Sequence, residues 1–222
     1  MVKHRGFNIY IEEDHCTGDS PRDWDPISTF ASWSAEIRDE CPERPTDEEI
    51  FGTEPYTIAQ TNKEIWEARM TWYVTNLKIV AILPLYGGYG ANHNVYTTSH
   101  GRQVGFTYMT REMFTRNYSD EWIEQFHKGK TKGSIARDVL KSELKTFTQW
   151  KNGEVYGYRI EGLADTCWGF YGDDHEESGL LAEARGAIKW EIKNRTIHHC
   201  KRLKNMIKNK VELNKRIPYG YS

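Results

Sequence analysis

The chain has 222 residues, 38% hydrophobic and 13% aromatic, with a formal net charge of −2. That length and apolar content support a substantial core without disulfides or metals and exclude a wholly disordered chain. No window approaches the ~20 apolar residues of a membrane span, the start MVKHRGFNIYIEED builds no signal-peptide core, and Cys16, Cys41, Cys167 and Cys200 lack CxxC spacing, as reduced cytosolic thiols do.

Phe7, Ile9 and Ile11 alternate with Asn8, Tyr10 and Glu12, the period of a half-buried strand. Residues 14–26, DHCTGDSPRDWDP, are turn-forming, and Ile27 to Trp33 reads as a second strand. Residues 39–56 carry three prolines and a run of acids, which predicts a surface excursion. Ile58, Ile65, Ala68 and Trp72 then recur at helical spacing, so a helix is expected over 57–74 with Thr57 or Thr61 as its cap.

Leu77 to Tyr86 is nearly continuously apolar and β-branched, the composition of a strand buried on both faces. The glycines that follow, Gly87, Gly88 and Gly90, are expected to break it. Gln103 to Met109 alternates again and should pair antiparallel with 77–86. A short helix is expected over 110–117, another capped by Ser119, and a third through Ile135, Val139, Leu140, Leu144 and Phe147, ended by Gly153. Residues 152–172, NGEVYGYRIEGLADTCWGFYG, read as a β-hairpin. From Leu181 to Val211 apolar residues recur every three to five positions, a helix of roughly 50 Å at 1.5 Å per residue, stopped by Pro218.

The pattern predicts an α+β fold: a mostly antiparallel sheet of about five to six strands with three to four helices, one of them long, basic and C-terminal. The division expected is a core over 1–177 bearing the 39–56 excursion, with the helix and tail over 178–222.

Charge is unevenly spread. Residues 1–60 hold 14 acids against 5 bases, a balance of −9, and residues 189–216 hold 10 bases against 2 acids, +8. Either the two ends neutralise each other or the basic one faces an anionic partner. On one turn-spaced surface Lys193, Lys201, Lys204, Lys208 and Lys215 are placed to meet phosphates. Trp168, Phe170 and Tyr171 of the hairpin are candidate contact residues beside them, although alternation sends some of them into the core.

Chemistry has weaker signals. Asp14 and His15 in the first acidic loop, with Asp173, Asp174 and His175 after the hairpin, form a metal-capable set if both loops meet at one end of the sheet, the arrangement a metal-dependent hydrolase or nuclease needs. Acidic turns also serve as caps. KGKTKGS (Lys128 to Ser134) lacks the leading glycine and preceding strand of a P-loop, GGYG fails the dinucleotide fingerprint, and neither GxSxG nor a Cys-His signature occurs. No catalytic residue and no cofactor is therefore assigned.

SPRDWD (Ser20 to Asp25), LPLY, GRQVGFTYMT, EVYGYRIE, DTCWGFYG and IKNKVELNKR (Ile207 to Arg216), in this order, resemble a family of uncharacterised bacteriophage proteins over nearly the full length, DTCWGFYG being the most specific block. The resemblance implies an accessory protein in the cytoplasm of the infected bacterial host that acts by binding a host protein, nucleic acid or nucleotide in host takeover or anti-defence. A structural virion component is the remaining alternative, with the excursion and long helix as assembly arms.

Overall fold

The computed structural model describes residues 1–15, 19–37, 41, 44–52, 62–89, 94–99, 101–210 and 212. In chain order the elements are β1 (Val2–His4), β2 (Phe7–Glu13), β3 (Thr29–Ser32), α1 (Asp47–Phe51), α2 (Asn62–Asn76), β4 (Ile79–Tyr89), β5 (Asn94–Thr97), β6 (Arg102–Thr110), α3 (Arg111–Asn117), α4 (Asp120–Phe126), α5 (Lys132–Lys151), β7 (Val155–Ile160), β8 (Thr166–Tyr171) and α6 (Leu180–Lys208). The class is α+β as expected, but the strands form two four-stranded antiparallel sheets, ordered β1-β2-β7-β8 and β3-β6-β4-β5. The extra strands are β1 and β5, both too short to show a period of their own.

The chain divides into two compact units: a terminal unit of Met1–Cys16 with Glu154–Ser222, and an inserted unit of Thr17–Gly153. The division expected at 177/178 falls elsewhere, because α6 shares its core with the first strands. In the terminal unit β2 pairs with β7, Ile9 opposite Ile160 and Ile11 opposite Tyr158. Leu180, Leu181, Ala184 and Ile188 of α6 close over that face.

In the inserted unit the apolar run 77–86 is the strand expected, and it pairs antiparallel with β6. Its glycines do not break it: β4 continues to Tyr89, with Gly87 paired to Arg102 on one side and to Tyr96 on the other. A ladder on both edges outweighs the low strand propensity of glycine. Val104 to Met109 of β6 are six consecutive buried residues, because both faces of the sheet are covered. Phe30, Leu85 and Val104 meet Leu144 and Phe147 of α5, and farther along the helix Ala81 and Met109 meet Ala136 and Leu140. Ala31, Phe106 and Tyr108 meet Tyr73 of α2 on the opposite face. There the Arg69 guanidinium is buried over the rings of Trp33 and Trp66, at 4.2 and 4.8 Å, and pairs with Asp47 at 3.0 Å.

The helix expected over 57–74 is α2 from Asn62; residues 57–61 and part of the 39–56 excursion lie outside the described residues. Within the excursion α1 forms on a reciprocal cap, the Thr46 hydroxyl accepting from Glu49 N–H and the Glu49 carboxylate accepting from Thr46 N–H. Ser119 caps α4 as expected.

β3 is tied to α5 by one carboxylate. Glu143 accepts from the backbone N–H of Ile27 (2.8 Å) and Ser28 (3.0 Å), from the Ser28 hydroxyl and from Arg22 Nη1 (3.2 Å). Arg22 also donates to the Ser28 carbonyl and lies 4.0 Å over the Phe30 ring. Removing the carboxylate takes the counter-charge from a guanidinium whose side chain is only 8% exposed and leaves two backbone donors without their acceptor. Glu143→Ala is therefore expected to lower unfolding free energy by ~3 kcal/mol, the low end for breaking a buried pair, read as a drop in the urea midpoint at unchanged slope.

Candidate functional site

The buried apolar residues of α6 lie on one stripe. Leu181, Ala184 and Ile188 follow at i, i+3 and i+7 and bury against Ile9, Tyr158 and Ile160 of the sheet. At 3.6 residues per turn, Lys201, Lys204 and Lys208 stand about 80°, 20° and 60° around the axis from Lys193, whereas Ala184 and Ile188 stand about 180° and 220° from it. The packed stripe therefore forces the four lysines outward. All four are exposed, and among the described residues none of them pairs with a carboxylate. Lys215 lies outside the described residues.

Two apolar residues share the lysine arc. Trp190 is 65% exposed and Ile197 41%, at about 60° and 40° on the same wheel. The sequence reading counted Ile197 among the recurring apolar residues of the helix and passed over Trp190, although the i, i+3, i+7 spacing of Trp190, Lys193 and Ile197 carries the signal. Arg195 belongs to the other side of the helix, where it pairs with Glu191 at 2.7 Å and faces the Phe7 ring.

The hairpin aromatics separate. On β8, Cys167 pairs with Tyr158 and Phe170 with Tyr156, so three steps along β8 match two along β7. This bulge, with Gly169 at φ 86°, turns both Cys167 and Phe170 into the core. Tyr171 is half-buried. Trp168 points to the other face of the sheet, over Gly157, where a Cβ would come within 2.2 Å of its ring. Glycine at 157 is what lets the indole lie flat. Beside it on that face, Arg159 lies 4.7 Å over the Tyr10 ring and pairs with Glu12 at 3.1 Å. Trp168 and the lysine arc thus occupy opposite sides of a two-layer unit. They present two surfaces, not the single contact surface expected of them.

The acidic loops come to the same end of the terminal sheet: Asp14 N–H donates to the Val155 carbonyl and Gly172 N–H to the Glu154 carbonyl, each at 2.8 Å. Asp174 accepts from the N–H of Glu176 (3.0 Å) and Glu177 (2.9 Å), and His175 packs edge-on against Tyr156 at 4.8 Å. His15 and Asp173 are exposed. Among the described residues no three His, Cys, Asp or Glu side chains come together as a metal would require.

Burial pushes the Tyr158 hydroxyl up to about 12, with Asp165 the next cause; burial, followed by the charge of Asp14, pushes Tyr171 up to about 12. Both tyrosines ionise near 10 when unfolded. The folded state therefore holds protons that the unfolded state releases, and this stabilisation is complete below pH 10 and lost as pH rises toward 12. The urea midpoint is expected to fall across that window, and Tyr158→Phe to flatten the fall. Absorbance at 295 nm should show a tyrosine class that ionises only as the protein unfolds.

No protein-family model, no curated protein and no solved structure matches the chain, so the reading of these surfaces rests on their own chemistry.

Proposed function

We propose that this chain is a non-enzymatic accessory protein of bacteriophage type that acts by binding nucleic acid along the outer face of α6. The carrying observation is the arc of Lys193, Lys201, Lys204 and Lys208, exposed and without carboxylate partners among the described residues. From first to last it extends about 22 Å at 1.5 Å per residue, long enough to follow successive phosphates. A nucleic acid offers phosphates to the lysines and bases to stack on Trp190 in the same arc. Asp174, at the end of the terminal sheet, is occupied with its own turn.

The phage setting comes from the family resemblance, and with it the reading that the target belongs to the infected host and that its capture serves takeover or defence evasion. No helix among the described residues is long and apolar enough to cross a membrane, which is compatible with action in the host cytoplasm.

Binding of a fluorescent 20-nucleotide single strand and the matching duplex, measured by anisotropy across a salt series, tests this. Four phosphate contacts give a log–log slope of about −2.8 for the single strand and about −3.6 for the duplex. Substituting Lys193, Lys201, Lys204 and Lys208 by Gln should abolish most of that slope. Trp190→Ala should weaken single-strand binding and leave the slope unchanged. Absence of binding at 50 mM salt, or an unchanged slope in the quadruple variant, refutes the reading.

A further inference from the structure

The inserted unit contains a cleft that this reading does not use. It has a volume of about 360 Å³ and lies between the start of β4, α3 and the start of α5. Ile79, Val80 and Phe114 form an apolar floor, and the charged lining consists of Lys78, Arg111 and Lys132. Three features of the fold bring these cations together from remote parts of the chain. Arg111 N–H donates to the Lys78 carbonyl at 2.7 Å, which fixes the head of α3 beside the head of β4. The β4–β6 register shifts between Ile79 and Ala81, leaving Val80 as a bulge in the cleft wall. A Cβ on Gly133 would stand only 3.6 Å from the Val80 carbonyl, so the head of α5 approaches that same bulge.

Lys132 is held by Asp120 at 2.6 Å. Among the described residues neither Lys78 nor Arg111 pairs with a carboxylate. Three cations less one carboxylate leave +2, a net positive charge that attracts the phosphates of a diphosphate without fully neutralising them. Thr115 adds no donor, since its hydroxyl is spent on the carbonyls of Arg111 and Glu112. Inorganic phosphate alone would leave the apolar floor unfilled. At the lower end of the ~300–1,000 Å³ range of ligand sites, the cleft suits one nucleotide rather than a dinucleotide.

We propose that this cleft binds a phosphorylated small molecule of the nucleoside diphosphate class, its phosphates on Lys78, Arg111 and Lys132 and its uncharged body on Ile79, Val80 and Phe114. The site belongs to the inserted unit and does not depend on α6.

Titration calorimetry of the full chain with adenosine 5′-diphosphate, pyrophosphate and adenosine, each to 1 mM, tests it. The diphosphate is expected to bind, pyrophosphate to bind more weakly and adenosine to give no heat. Lys78→Gln with Arg111→Gln, both at exposed positions, should weaken diphosphate binding at least about tenfold. Asp120→Asn, which frees Lys132, should strengthen it about threefold. The quadruple α6 lysine variant should bind the diphosphate as the parent does, so that failure here and failure of the α6 reading are separable. No diphosphate binding at 1 mM, equal binding of adenosine or pyrophosphate, or unchanged affinity in the Lys78/Arg111 variant overturns the proposal.

Discussion

The terminal unit depends on one pairing, β2 with β7, between the beginning of the chain and a strand that follows the whole inserted unit. Ile9 and Ile11 of β2 complete the apolar face on which α6 rests. Without them β7 and β8 would be an isolated two-stranded hairpin, marginal in water, and the stripe of Leu181, Ala184 and Ile188 would lack a surface to bury against. Closing so long a loop costs little more than closing a short one, because the entropy grows only with the logarithm of length. Everything proposed for α6 follows from that burial, since the face opposite a buried stripe is necessarily the one presented to solvent.

Four acids of the first 60 residues show local use of charge. Glu49 closes the cap of α1, Asp23 accepts from Ser20 N–H, Asp47 holds the buried Arg69 and Glu12 holds Arg159 on the adjacent strand. Lys193, Lys201, Lys204 and Lys208 of α6 pair with no carboxylate among the described residues. The open lysine arc is therefore a surface feature in its own right.

In the inserted unit the dominant constraint is coverage of both sheet faces. A sheet packed by α5 on one side and α2 on the other makes buried polar groups costly; Thr107 Oγ1 and Arg69 Nε are buried without a hydrogen-bond partner, but the buried charges are accommodated. Glu143 collects four donors, and Arg69 is enclosed by two indole rings and a carboxylate. The cleft forms where this coverage stops, at the heads of β4, α3 and α5, and its cations border solvent rather than the core.

Local period is what the sequence alone could reveal. Alternation in 7–11, the apolar run from 77 and the turn-spaced apolar residues of 181–207 follow from chain geometry over a few residues and are found in the structure, as is the placement of Lys193, Lys201, Lys204 and Lys208 on one arc. Tertiary structure decided the division into two units, the two sheets in place of one and the continuation of β4 through its glycines, because strand partners are chosen across long separations that leave no periodic trace. It also decided that Trp168 and the lysine arc would face opposite ways, since a bulge at Gly169 inverts the alternation. The meeting of Lys78, Arg111 and Lys132 is of the same kind: three residues without a shared motif become neighbours only when a strand bulge and two helix starts pack at one corner.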